Sequence, residues 1–262
     1  LISPRSLVRR LIWALGLEGL RFRLWEIGAA RAHPGAARFP DGKPMPPAIL
    51  RVMVVGNADP DYFASSGQNT LAEFDALLSA TGLGLGQART ILDIGCGCGR
   101  LARWLPPEAA DRLIGVDINA RLLAWSRRHL PGAWRRVELG APLPVADASI
   151  EALYACSVIT HLRESTAADW LADLSRVLTP GGQALITFHD LVHAARGGTP
   201  PPTLAAEGYG VRFDSHEGSN LLSAYVTAER LAELAGPDLT LVTHRSSSET
   251  FCGQAIAVFR KV

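Results

Sequence analysis

No two cysteines in this chain stand at C-x-x-C spacing. The four present fall at 96, 98, 156 and 252, too few and too unevenly placed for a disulfide framework or a cysteine-based zinc site. They read as free thiols of a reducing compartment, so the expected location is the cytoplasm. Excess charge of either sign is also missing: 26 basic against 25 acidic side chains leave +1 at pH 7. No global field draws polyanions, and nucleic acid is not an expected partner. Long apolar runs are absent as well. Leu11 to Leu17 falls far short of the ~20 residues that cross a bilayer. No small-residue cleavage pattern follows it, so neither a transmembrane segment nor secretion is expected. No cluster of Asp, Asn, His or Cys has metal-ligand spacing, and no metal is expected. The sequence gives no reading of oligomeric state.

Hydrophobic residues make up 48% of the 262 positions and charged ones 19%, enough apolar surface for a sizeable core. Residues 1–32 mix arginines with apolar residues at helical spacing, which favours helices packed on their own domain over a membrane-surface segment. His33 to Pro47 holds five prolines and two glycines and reads as a linker. Ile49 to Gly56 fits a short strand or helix. Asn69 or Thr70 caps a predicted helix ending near Thr81. From Thr90 strands and helices alternate: TILDIG, LARWL, RLIGVDI, NARLLAWSRRHL, WRRVELG, SIEALYACSV, STAADWLADLSRVL with Ser165 as N-cap, a Thr179–Gly182 turn, then QALITFHD. That rhythm predicts a parallel sheet wrapped by helices. Residues 194–220 read as a long loop insertion, and long loops in compact domains are usually functional. Thr227 caps a helix, and LTLVTHR and QAIAVFRK close the chain as two strands.

The chemistry gathers at ILDIGCGCGR, Ile91 to Arg100. A strand that ends in closely spaced glycines and feeds a helix lets a ligand touch bare backbone. The dinucleotide fingerprint is G-x-G-x-x-G, and Gly95, Gly97 and Gly99 are one residue tighter. The spacing therefore argues against a nicotinamide-dependent oxidoreductase and suits a nucleoside without pyrophosphate. Asp117 ends the next strand, where a carboxylate can accept both hydroxyls of a ribose. Asp93 can accept loop amides or take an ammonium group.

With these residues in view the sequence resembles the class I S-adenosylmethionine-dependent methyltransferases. LDIGCGCGR is similar to that family's first motif, VDIN at 116–119 to its acidic second motif, Ala141 to Leu162 to the segment around its fourth strand, and Arg176 to Thr187 to its helix–turn–fifth strand signature. The wording is nearest to bacterial members found near glycosyltransferase or natural-product genes. One departure is Ile150-Glu151, where the family often has Phe-Asp; no loss of function is expected from it. The resemblance implies an α/β, doubly wound, Rossmann-like sheet of seven strands, six parallel and one antiparallel, with an N-terminal helical extension. Residues 1–88 would be extension, linker and acceptor-side cover, and 89–262 the methyltransferase domain carrying the 194–220 insertion. S-adenosylmethionine would be the cofactor. Asp93, Gly95, Gly97 and Gly99 would hold its methionine part, and Asp117 its ribose. Ile118 would pack on adenine, residues 138–141 would line the adenine edge, and Cys156 and Ser157 would lie beside the cofactor. Cys96 and Cys98 would fill space between glycines, Cys96 at the cofactor, and Tyr62 would sit in a segment covering it.

Methyl transfer from an activated donor asks the protein mainly to position the acceptor, and a hydroxyl acceptor adds the need for a base. His161, after the fourth strand, and His189, at the end of the fifth, are the expected catalytic bases. Asp190 and His193 follow as expected substrate contacts. The expected reaction is O-methylation of a small molecule, a sugar or secondary metabolite. Methylation of nitrogen or a protein side chain, and a methyltransferase fold that transfers nothing, are the alternatives.

Overall fold

The computed structural model describes residues 18–32, 39, 42–198 and 200–262. The chain divides into two compact units after Phe63. In the first, helix α1 (Glu18–Ala32) packs against α2 (Ala48–Val55) through Ala29, Ala30, Ala48 and Val52. The 49–56 stretch is therefore helical, and Gly56 ends it in the left-handed region at φ 67°. Arg51 is fully buried there, its Nε donating to the Ala58 carbonyl at 2.7 Å and its Nη1 to that of Pro46 at 2.5 Å. The part of the N-terminal expectation on residues 1–17 lies outside the described residues. Helix α3 (Pro60–Thr81) starts well before the expected Asn69 or Thr70. Proline is well placed in a first helical turn, and the helix runs through Gly67 to end before Gly82.

The second unit is built on a seven-stranded sheet ordered β3-β2-β1-β4-β5-β9-β8. Strands β1 (Ile91–Ile94), β2 (Leu113–Asp117), β3 (Ala133–Arg136), β4 (Ile150–Ala155) and β5 (Leu178–Phe188) pair in parallel. β9 (Ala255–Lys261) runs antiparallel to both β5 and β8 (Leu239–Arg245). Six strands thus share one direction and one opposes them, the expected doubly wound architecture. β1, all four residues of it buried, is apolar except for Asp93, as a central parallel strand must be. Leu92, Ile94, Leu153, Ala184, Ile186 and Phe259 form the centre of the core.

Local chemistry sets the connections. Asn119 caps α5 (Ala120–His129), its side chain accepting from the amides of Arg121 and Leu122. Helix α6 (Glu164–Val177) begins one residue before the expected cap: Arg163 takes the N-cap position and Ser165 falls inside the first turn. LARWL makes only a 3-10 turn, Ala102–Trp104, because Pro106 and Pro107 cut it short and open α4 (Pro107–Ala110). The Thr179–Gly182 turn is a kink within β5, where pairing jumps from Ile150↔Leu178 to Ala152↔Gln183.

The 194–220 stretch is not one loop. Helix α7 (Leu191–Arg196) runs into it, α8 (Pro202–Glu207) opens on proline and ends at Gly208, and β6 (Tyr209–Arg212) pairs with β7 (Ser223–Val226) as a separate two-stranded sheet. The glycines and prolines that suggested loop punctuate short elements instead. Helix α9 (Ala228–Ala235), capped by Thr227, packs on α6 and leads to β8.

Gly115 tests the packing. A Cβ there would stand 2.4 Å from the Trp134 ring and 3.2 Å from Cys96 Sγ. Gly115→Ala should cost about 1–3 kcal/mol by overpacking. The urea midpoint should fall while the slope of the transition stays that of the parent protein; an unmoved midpoint would mean that the ring yields freely.

Candidate functional site

Strand order reverses at β1, whose neighbours are β2 and β4, so the connections leaving β1 and β4 diverge and open a crevice at their carboxyl ends. The glycine loop fills one side of it. Gly95, Gly97 and Gly99 have φ of 69°, 55° and 74°, which glycine adopts freely and other residues rarely do. Two of them also have no room for a side chain: a Cβ on Gly95 would meet Val158 Cγ2 at 2.6 Å, and one on Gly99 would meet Leu130 Cδ1 at 2.1 Å.

Asp117, at the end of β2, is largely buried and holds this loop in place. Its Oδ2 accepts the Gly97 amide at 2.7 Å and its Oδ1 the Asn119 amide at 2.7 Å. Burial raises its pKa, and the amides of Asn119 and Gly97 pull it back. The Ile118 amide also stabilises the carboxylate, so of its about four acceptor directions three are used within the chain. Asp93 lies deeper in β1. Tyr154 Oη donates to its Oδ2 at 3.0 Å, and burial pushes its pKa up to about 8 despite that bond, with Asp117 adding to the rise. A carboxyl group so placed ionises readily only when a cation joins it.

The cysteines of the loop are inert. Cys96 and Cys98 are buried, and burial raises both thiols, Cys98 to about 12. Cys96 turns its sulfur toward β2 beside Gly115, which leaves only its backbone for a ligand.

Past the end of β4, Ser157 has φ 58°, a left-handed conformation for a residue with a side chain. Three hydrogen bonds hold it. Its amide donates to Thr187 Oγ1 at 2.7 Å, Thr187 Oγ1 donates to Gln254 Oε1 at 2.6 Å, and Gln254 Nε2 donates to Ser157 Oγ at 2.6 Å. Next to it, Cys156 Sγ accepts from Arg100 Nη2 at 3.5 Å, and Arg100 Nη1 reaches Ser66 Oγ at 3.4 Å. Among the described residues no carboxylate forms an ion pair with Arg100, although its charge is felt at Asp93 and Cys156. Arg100, Thr187 and Gln254 escape a reading of the sequence because each is remote in the chain from what it touches. The arginine following the third glycine was the one available signal.

The three histidines come together. His189 stacks on His193 with ring centroids 3.9 Å apart and planes 5° from parallel, and the charges of His193 and His161 both bear on His189. His161 Nδ1 faces the Leu222 carbonyl at 2.8 Å. A carbonyl can only accept, so Nδ1 carries the proton and Nε2 the lone pair of a base. Burial lowers the His161 pKa and keeps the ring neutral. His193 Nδ1 faces the Gly253 carbonyl at 2.9 Å and has the same tautomer. His189 is different. It is buried, its Nδ1 has no partner, and burial with the neighbouring His193 takes its pKa down to about 3. A ring that holds a proton so weakly is a poor general base at neutral pH, and its stacking packs it against His193.

Asp190 is occupied within the chain. Its Oδ1 accepts the His193 amide and Ser247 Oγ, and its Oδ2 accepts Ser246 Oγ and the Ser247 amide, at 2.6 to 3.0 Å. All four acceptor directions are filled, so it caps α7 and anchors the serine-rich 246–248 turn and has none left for a substrate. Desolvation raises its pKa, and the Ser247 hydroxyl and the other donors outweigh that, leaving it lowered. Tyr62 belongs to the first unit, on the opening turn of α3, and is about half exposed. Glu151 lies at the opposite end of β4 from the crevice, paired with Arg89 at 2.5 Å.

At the remaining corner, the segment between β6 and β7 crosses the crevice edge. The Gly218 amide donates to the His161 carbonyl at 2.9 Å, and a Cβ on Gly218 would stand 3.2 Å from Leu139 Cδ2 and 3.4 Å from Ile118 Cδ1. Ile118 and the 138–141 stretch, expected together at the adenine edge, do share one spot. Among the described residues no group of His, Cys, Asp and Glu is arranged to hold a metal ion, and no helix is long and apolar enough to cross a membrane.

Residues 91–182 match the model of a methyltransferase domain family. A probable S-adenosylmethionine-dependent methyltransferase of Mycolicibacterium smegmatis is 33% identical over 113 residues, 43% of this chain and 43% of that protein. An O-methyltransferase of Pyrenophora dematioidea is 28% identical over 169 residues, 62% of this chain and 60% of that one. The chain thus spans about half the length of the curated relatives it matches. An S-adenosylmethionine-dependent methyltransferase structure from Mesorhizobium loti superposes with a TM-score of 0.56 at 16% identity, over 71% of this chain and 96% of that one, a likeness of fold. The matched segment runs from β1 through the kink of β5 and so contains the glycine loop, Asp117 and the β4 elbow; residues 91–182 thus carry a methyltransferase domain, on a sheet of the class I, Rossmann-like order.

Proposed function

We propose that this chain binds S-adenosylmethionine in the crevice and methylates an oxygen atom of a small molecule, a sugar or secondary metabolite, with His161 as base. The observation that carries the reading is the pair of carboxyl groups beside a bare glycine loop. Asp117, at the carboxyl end of β2 beside the bare loop, fits a ribose hydroxyl. Asp93 is buried and short of a cation, which fits the ammonium of the methionine part. Arg100, with neutral partners only, fits its carboxylate. When bound, the cofactor supplies a methyl group already activated by its sulfonium. The chain's own task is then to orient an acceptor and remove its proton. His161 Nε2 suits that step, because Leu222 holds the proton on the other nitrogen.

The O-methyltransferase among the relatives supports an oxygen acceptor. His193 Nε2 is a second polar contact for the substrate. The acceptor side is assigned to the 194–220 insertion and the N-terminal segment up to residue 88, Tyr62 included, and the compartment to the cytoplasm. Label transfer from radiolabelled cofactor to a panel of hydroxylated small molecules tests the activity; cofactor binding with no transfer to any acceptor would favour a non-transferring member of the fold.

Asp117→Ala should weaken binding of S-adenosylhomocysteine about 10- to 100-fold, the equivalent of ~1.5–3 kcal/mol for hydrogen bonds to a charged group. Calorimetry reads the affinity and a thermal melt checks that the variant is folded. An undiminished affinity would remove the ribose assignment.

Asp93 gives a pH test. In the folded chain without ligand it keeps its proton up to about pH 8, whereas unfolded it loses it near the ordinary 3.8. Between those values the folded state binds more protons, so this group's contribution to stability falls as pH rises. Asp93→Asn cannot ionise and should gain stability relative to the parent across roughly pH 5 to 8. It should also bind S-adenosylhomocysteine more weakly. Parallel stability profiles for the two proteins would show that Asp93 is not a buried, protonated group.

A further inference from the structure

The turn that follows β4 is fixed from outside itself. Ser157 has φ 58°, a conformation that residues with a side chain rarely adopt. Such outliers persist where their surroundings determine them, and here the surroundings are two side chains from other strands. Thr187 Oγ1 accepts the Ser157 amide at 2.7 Å and donates to Gln254 Oε1 at 2.6 Å; Gln254 Nε2 donates to Ser157 Oγ at 2.6 Å and closes the ring. The ring stands on paired strands. Thr187 is fully buried and pairs with Ile256 of β9, and its predecessor Ile186 pairs with Ala155 of β4. Gln254 directly precedes Ala255, the residue that opens β9 opposite Phe188.

The bonds at Ser157 also orient the residue before it. The peptide between Cys156 and Ser157 is trans, so its N–H and C=O point in opposite directions. An amide turned toward Thr187 on β5 therefore turns the Cys156 carbonyl away from β5, toward the β1 side of β4. The glycine loop leaves β1 on that side. The thiol of the same residue accepts from Arg100 Nη2 at 3.5 Å, and the charges of Arg100 and Asp93 both bear on it. Cys156 thus stands between the group assigned to the cofactor's carboxylate and the group assigned to its ammonium.

We infer that Thr187 and Gln254 are positioning residues of the cofactor site: by holding Ser157 in its left-handed conformation they set Cys156 so that its carbonyl and Arg100 both face the amino-acid part of S-adenosylmethionine. The inference rests on the cofactor reading above and adds to it two residues, from β5 and the start of β9, that act through Ser157. Side chains carried on paired strands hold such a geometry more closely than a loop could hold it alone. The ribose end is assigned to Asp117, on β2, and owes nothing to this ring. The two ends of the cofactor should therefore respond differently when the ring is broken.

The test compares S-adenosylhomocysteine, which carries the amino-acid part, with 5′-methylthioadenosine, which lacks it. Ligand-detected NMR on the full chain reads both affinities, weak binding included. Thr187→Val keeps the shape and removes the hydroxyl that takes the Ser157 amide. It should bind S-adenosylhomocysteine about tenfold more weakly and 5′-methylthioadenosine as the parent does. Gln254→Met opens the ring at a half-buried position and should shift the ratio the same way by a smaller factor. Thr187→Ser keeps the hydroxyl and should restore the parent's ratio. Thermal melts establish that each variant is folded at the temperature of the titration. An S-adenosylhomocysteine affinity unchanged in both Thr187→Val and Gln254→Met, or an equal loss for the two ligands, overturns the positioning role and leaves the cofactor reading standing. Failure of both variants to fold overturns it too, because the ring would then serve the fold alone. No binding of S-adenosylhomocysteine to the parent protein removes the cofactor reading and this inference with it.

Discussion

The Asp117 carboxylate holds two amides that belong to different parts of the chain. One is Gly97, in the loop after β1; the other is Asn119, the cap of α5. Because these bonds are to an ionised acceptor in a mostly dry place, they are stronger than ordinary ones. They draw the glycine loop over the end of β2 and set where α5 begins. The remaining features of the crevice depend on that closure. Gly99 then comes so near Leu130 that no side chain fits, and the two loop cysteines have nowhere to go but inward.

Electrostatics divides the crevice into two halves. On the side of β1 and β2 sit two carboxyl groups and one arginine that lacks a carboxylate partner among the described residues, an arrangement costly to keep buried without a ligand. On the side of β5 and the insertion sit His161 and His189, whose protonation burial disfavours, and the Asp190 carboxylate, whose acceptor directions are all used within the chain.

Much of this was legible in the sequence, for identifiable reasons. The parallel sheet was readable because its strands are short apolar runs bounded by glycine and proline, and because Asn119 and Thr227 cap helices through their own side chains. Gly95, Gly97, Gly99 and Asp117 stood out because backbone conformation and strand position restrict what can replace them. Asp190 and His189 show what strand position alone leaves open. Both lie at the right end of the right strand, but a carboxylate's remaining capacity and a ring's burial depend on Ser246, Ser247 and His193, whose approach no local pattern announces. The 194–220 insertion was misread differently: composition says where chain direction changes but not whether the pieces between the breaks pair, and β6 and β7 pair across ten intervening residues.

The insertion also shows how a common scaffold acquires a particular site. The sheet, the loop and Asp117 frame the crevice at the carboxyl ends of β1 and β2. His161 and His193 take their orientation from backbone carbonyls at Leu222 and Gly253, outside the parallel strands. Backbone carbonyls cannot change charge and cannot be replaced by substitution at their own position. A ring orientation set by such a carbonyl therefore survives sequence drift at Leu222 and Gly253 as long as the 213–222 segment and the β8–β9 turn keep their course. What must be preserved is a path of the chain, held at Asp190 on one side and at Gly218 on the other.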